Sequence, residues 1–166
     1  MMRKVLPIVL GLWLLHGCGS GSSLPPVIFT GTVANQPYTQ TFVDRVGYPI
    51  ELNGIALVLS SKSDGTSNET AENDEDQIRF RIVDIAAFSD GVPKTIGISA
   101  NNTVNFFVAG ERFIATSGTL TLTPITRSVG ATITAVFNLG FVNTSTITPH
   151  SATLAGSFSL PLETAP

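Results

Sequence analysis

The chain has 166 residues, 43% of them hydrophobic and only 13% charged, about half the charged share of an average soluble domain. Nine Lys and Arg against twelve Asp and Glu give a formal charge of -3, which argues against a nucleic-acid partner, because neutralising phosphates needs a dense basic surface. A single cysteine leaves no intrachain disulfide and no thiolate zinc site, and the length suits one domain.

The amino terminus reads as an address. Arg3 and Lys4 precede the apolar run Val5 to Leu15, which is too short to span a hydrocarbon core as a helix, since roughly twenty residues are needed. A basic start, a short apolar stretch and then small residues mark residues 1–17 as a secretory signal peptide. Leu15-His16-Gly17-Cys18 resembles the lipobox of bacterial lipoproteins, with His16 departing from the small residue or Thr usual there. The resemblance implies that a diacylglycerol alkylates Cys18, that the peptide is cut before it and that the new amino terminus is acylated. The lipid bilayer is then a partner, since several acyl chains hold a protein far more firmly than one. The alternative is a plain secretory signal cut nearby. In the lipoprotein class an Asp after the cysteine retains the protein at the inner membrane. Gly19 stands there, so the resemblance implies the outer membrane in a Gram-negative envelope and the outer face of the cell membrane otherwise. Residues 18–26 form a tether, flexible through its Gly and Ser residues and extended at Pro25-Pro26.

From Val27 onward period-2 alternation recurs and no 3.6-residue period persists. Strands are expected at Val27 to Val33, Tyr38 to Val46, Ile50 to Ser60, Gln77 to Ile85, Lys94 to Ala100, Thr103 to Ala115, Gly118 to Thr123, Ala131 to Val142 and Thr153 to Leu162. Asn101-Asn102 reads as a tight turn, and Val83-Asp84-Ile85 breaks its alternation as a bulge would. In the later strands Ile133, Ala135, Phe137, Leu139 and Phe141 share one face, as do Leu154, Gly156, Phe158, Leu160 and Leu162. The opposite faces carry Thr, Ser and Asn in place of Lys and Glu. Residues 27–166 are therefore expected to fold as an all-β, antiparallel β-sandwich, or partly closed barrel, of about eight or nine short strands. Edges with so little charge need covering by a partner or by the barrel's own closure.

Half of the acids lie in one segment: Asp64, Glu69, Glu72, Asp74, Glu75 and Asp76. Asp64, Glu69, Glu72, Asp74 and Asp76 are candidate calcium ligands, because hard oxygens at this density suit that ion. The spacing matches neither the EF-hand loop nor the Gly-rich calcium nonapeptide, so a solvated hairpin loop is the simpler reading and no cofactor is expected. His150, the one histidine beyond the signal, has no recognisable nucleophile elbow to serve; Ser99 comes nearest and fails at the last position of the motif. Asp44, Glu51, Asp84 and Glu111 lie in or beside strands, where a pair can meet as glycosidase carboxylates do. The chain after the signal, however, has no Trp to stack a sugar. Phe106-Phe107 puts one ring outside the core, available to a partner.

These residues imply a lipid-anchored, non-enzymatic β-domain acting as an interaction or structural module on an envelope protein or ligand. The alternatives are a calcium-dependent adhesion domain and a small envelope hydrolase. Convergence among Asp44, Glu51, Asp84, Glu111 and His150 would separate the hydrolase from the module.

Overall fold

The computed structural model describes residues 24–51, 53–63, 75–97, 102–143 and 149–165. Cys18 and the expected signal segment, the acids Asp64, Glu69, Glu72 and Asp74, and Ser99 and Asn101 lie outside the described residues. The strands are β1 (Val27–Val33), β2 (Gln36–Phe42), β3 (Asp44–Ile50), β4 (Gly54–Ser60), β5 (Gln77–Ile82), β6 (Lys94–Thr95), β7 (Asn102–Val108), β8 (Glu111–Thr123), β9 (Thr132–Asn143) and β10 (Ser151–Pro161), with a 3-10 turn at Ile85–Ala87. They join in one sheet of order β2-β1-β10-β9-β8-β7-β5-β4-β3, with β6 on β8, and every ladder is antiparallel. The fold is all-β, as the alternation implies.

The sheet curls almost into a barrel. β2 runs into β3 through Val43 alone, and β3 reaches the far end of β10, where Gly47 bridges Leu162 in parallel and the Glu163 N–H donates to the Gly47 carbonyl at 2.7 Å. The two halves of the sheet, β2-β1-β10-β9 with the later part of β8, and β7-β5-β4-β3, face each other across a core of phenylalanines. Phe80 on β5 stands 5.3 Å from Phe137 on β9 and 5.5 Å from Phe158 on β10, and Phe29 on β1 lies 4.9 Å from both Phe42 and Phe137. Gly156 makes room for this cluster: a Cβ there would stand 2.3 Å from Phe29 Cδ1.

The long strand β8 serves both halves, and it can because it breaks stride. A bulge between Ala115 and Ser117 shifts the register against β9. Gly118 follows at φ +107, a conformation open to glycine and costly for other residues. The bulge therefore lies here and not at Val83 to Ile85, where the local break is the 3-10 turn, its N-cap Asp84 accepting from the Ala86 N–H at 3.1 Å.

Three expected spans are divided differently. Tyr38 to Val46 takes in most of β2 and the start of β3; Ile50 to Ser60 runs from the last residue of β3 past Asn53, at φ 67°, into β4; and Thr103 to Ala115 spans the Ala109-Gly110 turn, whose residues have φ of 50° and 77°. Asn102 belongs to β7 and not to a turn. At the lower end Arg127, between β8 and β9, clamps the β3–β4 turn: it donates to the carbonyls of Ile50 at 2.7 Å and Gly54 at 3.1 Å, and to Asn53 Oδ1 at 3.1 Å. Arg45 donates to the Pro25 carbonyl at 2.7 Å, fixing the start of the domain to β3.

The open edge at β2 is guarded without charge. Ala34 and Asn35, at φ 49° and 63°, form a two-residue type I′ turn, so the flanking Val33 and Gln36 make a hydrogen-bonded pair. Alternation then leaves Thr32 with Pro37, Thr30 with Thr39 and Ile28 with Thr41 as non-bonded pairs, whose β2 members turn their backbone polar groups outward. Pro37 has no N–H to offer there, and the Gln40 side chain donates to the Thr41 carbonyl at 3.4 Å.

Candidate functional site

Of the five residues whose convergence would mark a hydrolase, two meet. Glu111 begins β8 and His150 precedes β10; their Oε2 and Nδ1 lie 3.7 Å apart with side chains 44% and 38% exposed. Asn143, at the end of β9, donates to the same Glu111 oxygen at 2.7 Å. The separation exceeds a hydrogen bond, and among the described residues the imidazole meets no hydroxyl at hydrogen-bonding distance. The group ties the ends of three strands together. The other three are apart: Asp44 accepts from the Arg45 N–H at 2.9 Å, Glu51 is exposed in its turn, and Asp84 caps the 3-10 turn.

The root of the acidic segment is a polar network on the outer side of β4 and β5. Ser60 and Gln77, opposite each other, both donate to Glu75 Oε1, at 2.8 and 2.9 Å. Ser60 and Gln77 are fully buried and Glu75 is 2% exposed. The Arg79 Nε donates to Gln77 Oε1, and its guanidinium lies 5.0 Å over the Phe107 ring. Phe106 is the buried member of the pair and Phe107 the outer one, as expected, but the outer ring already carries a cation. The Ser61 N–H donates to the Asp76 carbonyl and the Asp76 N–H to Ser61 Oγ, each at 2.9 Å, closing the base of the segment.

Asp76, the one candidate calcium ligand among the described residues, accepts from the Tyr38 hydroxyl at 2.8 Å. No group of three His, Cys, Asp or Glu able to hold a metal occurs among the described residues. Tyr38 also packs edge-on against Phe106 at 5.4 Å. Burial first, then the hydrogen bond to Asp76 and its charge, raise the Tyr38 hydroxyl well above the usual phenolic range. A raised folded-state value contributes stability that is full below the unfolded value of about 10 and is lost as pH rises past it. Tyr38→Phe is expected to be about 1 kcal/mol less stable than the parent near neutral pH. That deficit should shrink and reverse above pH ~11, read by denaturant unfolding across pH. A deficit constant to pH ~12 would refute the linkage.

A third feature is broader. None of the residues of β1, β2, β9 and β10 is Asp, Glu, Lys, Arg or His, nor is any residue of β8 from Phe113 on. These strands are neighbours, so the outer side of one whole half of the barrel is uncharged. Cross-strand register sets Thr39, Thr30, Ala155, Asn138 and Thr119 in one row, and Pro37, Thr32, Thr153, Gly140 and Ser117 in the next. Hydroxyls pair within it: Thr32 with Thr153 at 2.9 Å and Thr134 with Ser159 at 2.7 Å. Ile28, Val136 and Val142 stand on it 62%, 50% and 40% exposed. Glu111, Arg112, Lys94, His150 and Glu163 lie at its margins, in flanking segments or at strand ends. The composition is visible in the sequence, where residues 113–162 hold only Arg127 and His150 as titratable cations and no acid. Its gathering into one face needs the strand order. No protein-family model matches the chain, and no curated protein shows a significant match to it.

Proposed function

We propose that the chain is a lipid-anchored protein of a bacterial envelope whose β-domain is a non-enzymatic interaction module. The observation that supports the module is the uncharged half of the barrel. An average surface carries charge on every side, whereas association surfaces are depleted of charge at the centre and polar at the rim, the pattern found here. Glu111, His150 and Asn143 hold three strand ends together, with no hydroxyl beside the imidazole among the described residues, which supports a structural role for the group.

The anchor rests on Leu15-His16-Gly17-Cys18. Gly19 in place of Asp favours the outer membrane in a Gram-negative cell, and the segment from Cys18 to Pro26 spaces the domain from the bilayer by at most about 30 Å. Cys18→Ser is expected to move the protein from the detergent-soluble membrane fraction to the soluble fraction, followed by fractionation and immunoblotting. Retention of the variant in the membrane fraction would overturn the anchor.

A further inference from the structure

We propose that the uncharged outer face of β8-β9-β10-β1-β2 is the interface of a homodimer, its occupant a second copy of the same face. The inference rests on the module reading and names its partner.

Size is the first argument. Five strands about 4.8 Å apart, with roughly nine residues each at about 3.3 Å, cover about 24 by 30 Å. That is on the order of 700 Å² measured along the curved sheet; two outward-bulging faces meet over its middle, the scale of a small, reversible interface and short of the roughly 800 Å² that each partner buries in a standard stable one.

Charge is the second. Half of the acids lie in the one segment 64–76, so apposing two copies through that side brings like charges together. This face contains none, and a two-fold contact places it against itself with no ion to desolvate. The charged groups at its margins fall where an interface rim meets water.

The hydroxyls are the third. Burying a hydroxyl without a partner is costly, but Thr32 with Thr153 and Thr134 with Ser159 satisfy each other inside the sheet, and Thr116 Oγ1 donates to the Gly140 carbonyl at 3.4 Å. Such a face loses less on leaving water than its composition suggests. Val136, near its centre between Thr121 and Ser157, supplies exposed apolar surface. A neutral glycan fits less well, since its rings call for aromatic platforms and the outward positions carry none.

The β2 edge does not compete for the role. Pro37 lacks a donor and the Thr41 carbonyl meets Gln40, which shortens the ladder an added strand could form there to the groups around Thr39, whereas the face offers five strands.

The test is photo-crosslinking of the full-length, membrane-anchored protein in cells, with a benzophenone amino acid replacing Val136, Thr30 or, on the opposite half, exposed Arg81. Positions 136 and 30 are expected to give an adduct at twice the monomer mass and position 81 none. In the Thr30 crosslinking protein, a further Val136→Arg exchange should lower the adduct at least tenfold while the melting temperature stays unchanged, which separates interface loss from unfolding. Adducts of another mass at 136 and 30 would overturn the homodimer and leave the module standing. No adduct at either position would overturn both.

Discussion

Phe137→Ala is expected to lower unfolding free energy by about 3 to 5 kcal/mol. Phe137 is 3% exposed on β9, and its ring meets three others: Phe29 at 4.9 Å nearly edge-on, Phe80 at 5.3 Å and Phe158 at 6.3 Å. Those partners sit on β1, β5 and β10, so one ring joins the two halves of the sheet. The deletion forfeits the transfer term and leaves a void that relaxes poorly, because strands from four positions would have to move together. The edge-on pair adds roughly 0.5 to 1.5 kcal/mol beyond its area. Since small domains are stable by only about 5 to 15 kcal/mol, the variant stands near the limit of folding. A shift of the denaturant midpoint at unchanged slope measures the effect, and a loss below ~1 kcal/mol would show that the aromatic cluster does not hold the halves together.

The second large effect is at the corner of β8. Gly118→Val is expected to cost about 3 kcal/mol or more, because two penalties coincide. The φ of +107 is strained for a β-branched residue, and a Cβ would stand 2.1 Å from the Asn138 carbonyl oxygen and 2.8 Å from Leu139 Cα. Both are backbone atoms of the paired strand, so nothing flexible can give way. Gly130 supplies the control. It has φ +88, but a Cβ there meets nothing within 4 Å, so Gly130→Val bears only the backbone term of about 1 to 2 kcal/mol. Equal losses for the two variants would mean that the close approach at Gly118 is relieved by movement.

The strands that were legible from sequence are those with one dry and one wet face. In β9 and β10 every second side chain is buried, from Ile133 to Phe141 and from Leu154 to Leu160 apart from Gly156, so the pattern in the chain is the pattern in the fold. β4 gave no such guide, because all seven of its residues are buried and a strand covered on both sides loses its alternation. That is why its boundary with β3 was misplaced. The Ala109-Gly110 turn was hidden for a related reason: apolar residues from Phe106 to Val108 and from Phe113 to Ala115 flank it closely, and Ala109 does not announce a positive φ. The meeting of Glu111 with His150 and Asn143 is a product of three strand ends arriving together, which no local spacing encodes. The uncharged face lies between these cases. Its residues could be counted from the chain, but whether they formed one surface or several depended on β1 settling beside β10.

The way β2 is protected has a bearing on the conditions this domain tolerates. Repulsion between lysines at a strand edge weakens as salt shortens the reach of charge, to about 3 Å at molar ionic strength. A missing N–H at Pro37 and a carbonyl already held by Gln40 do not depend on ionic strength at all. The protection these two groups give the edge is therefore the same in brine as in dilute buffer.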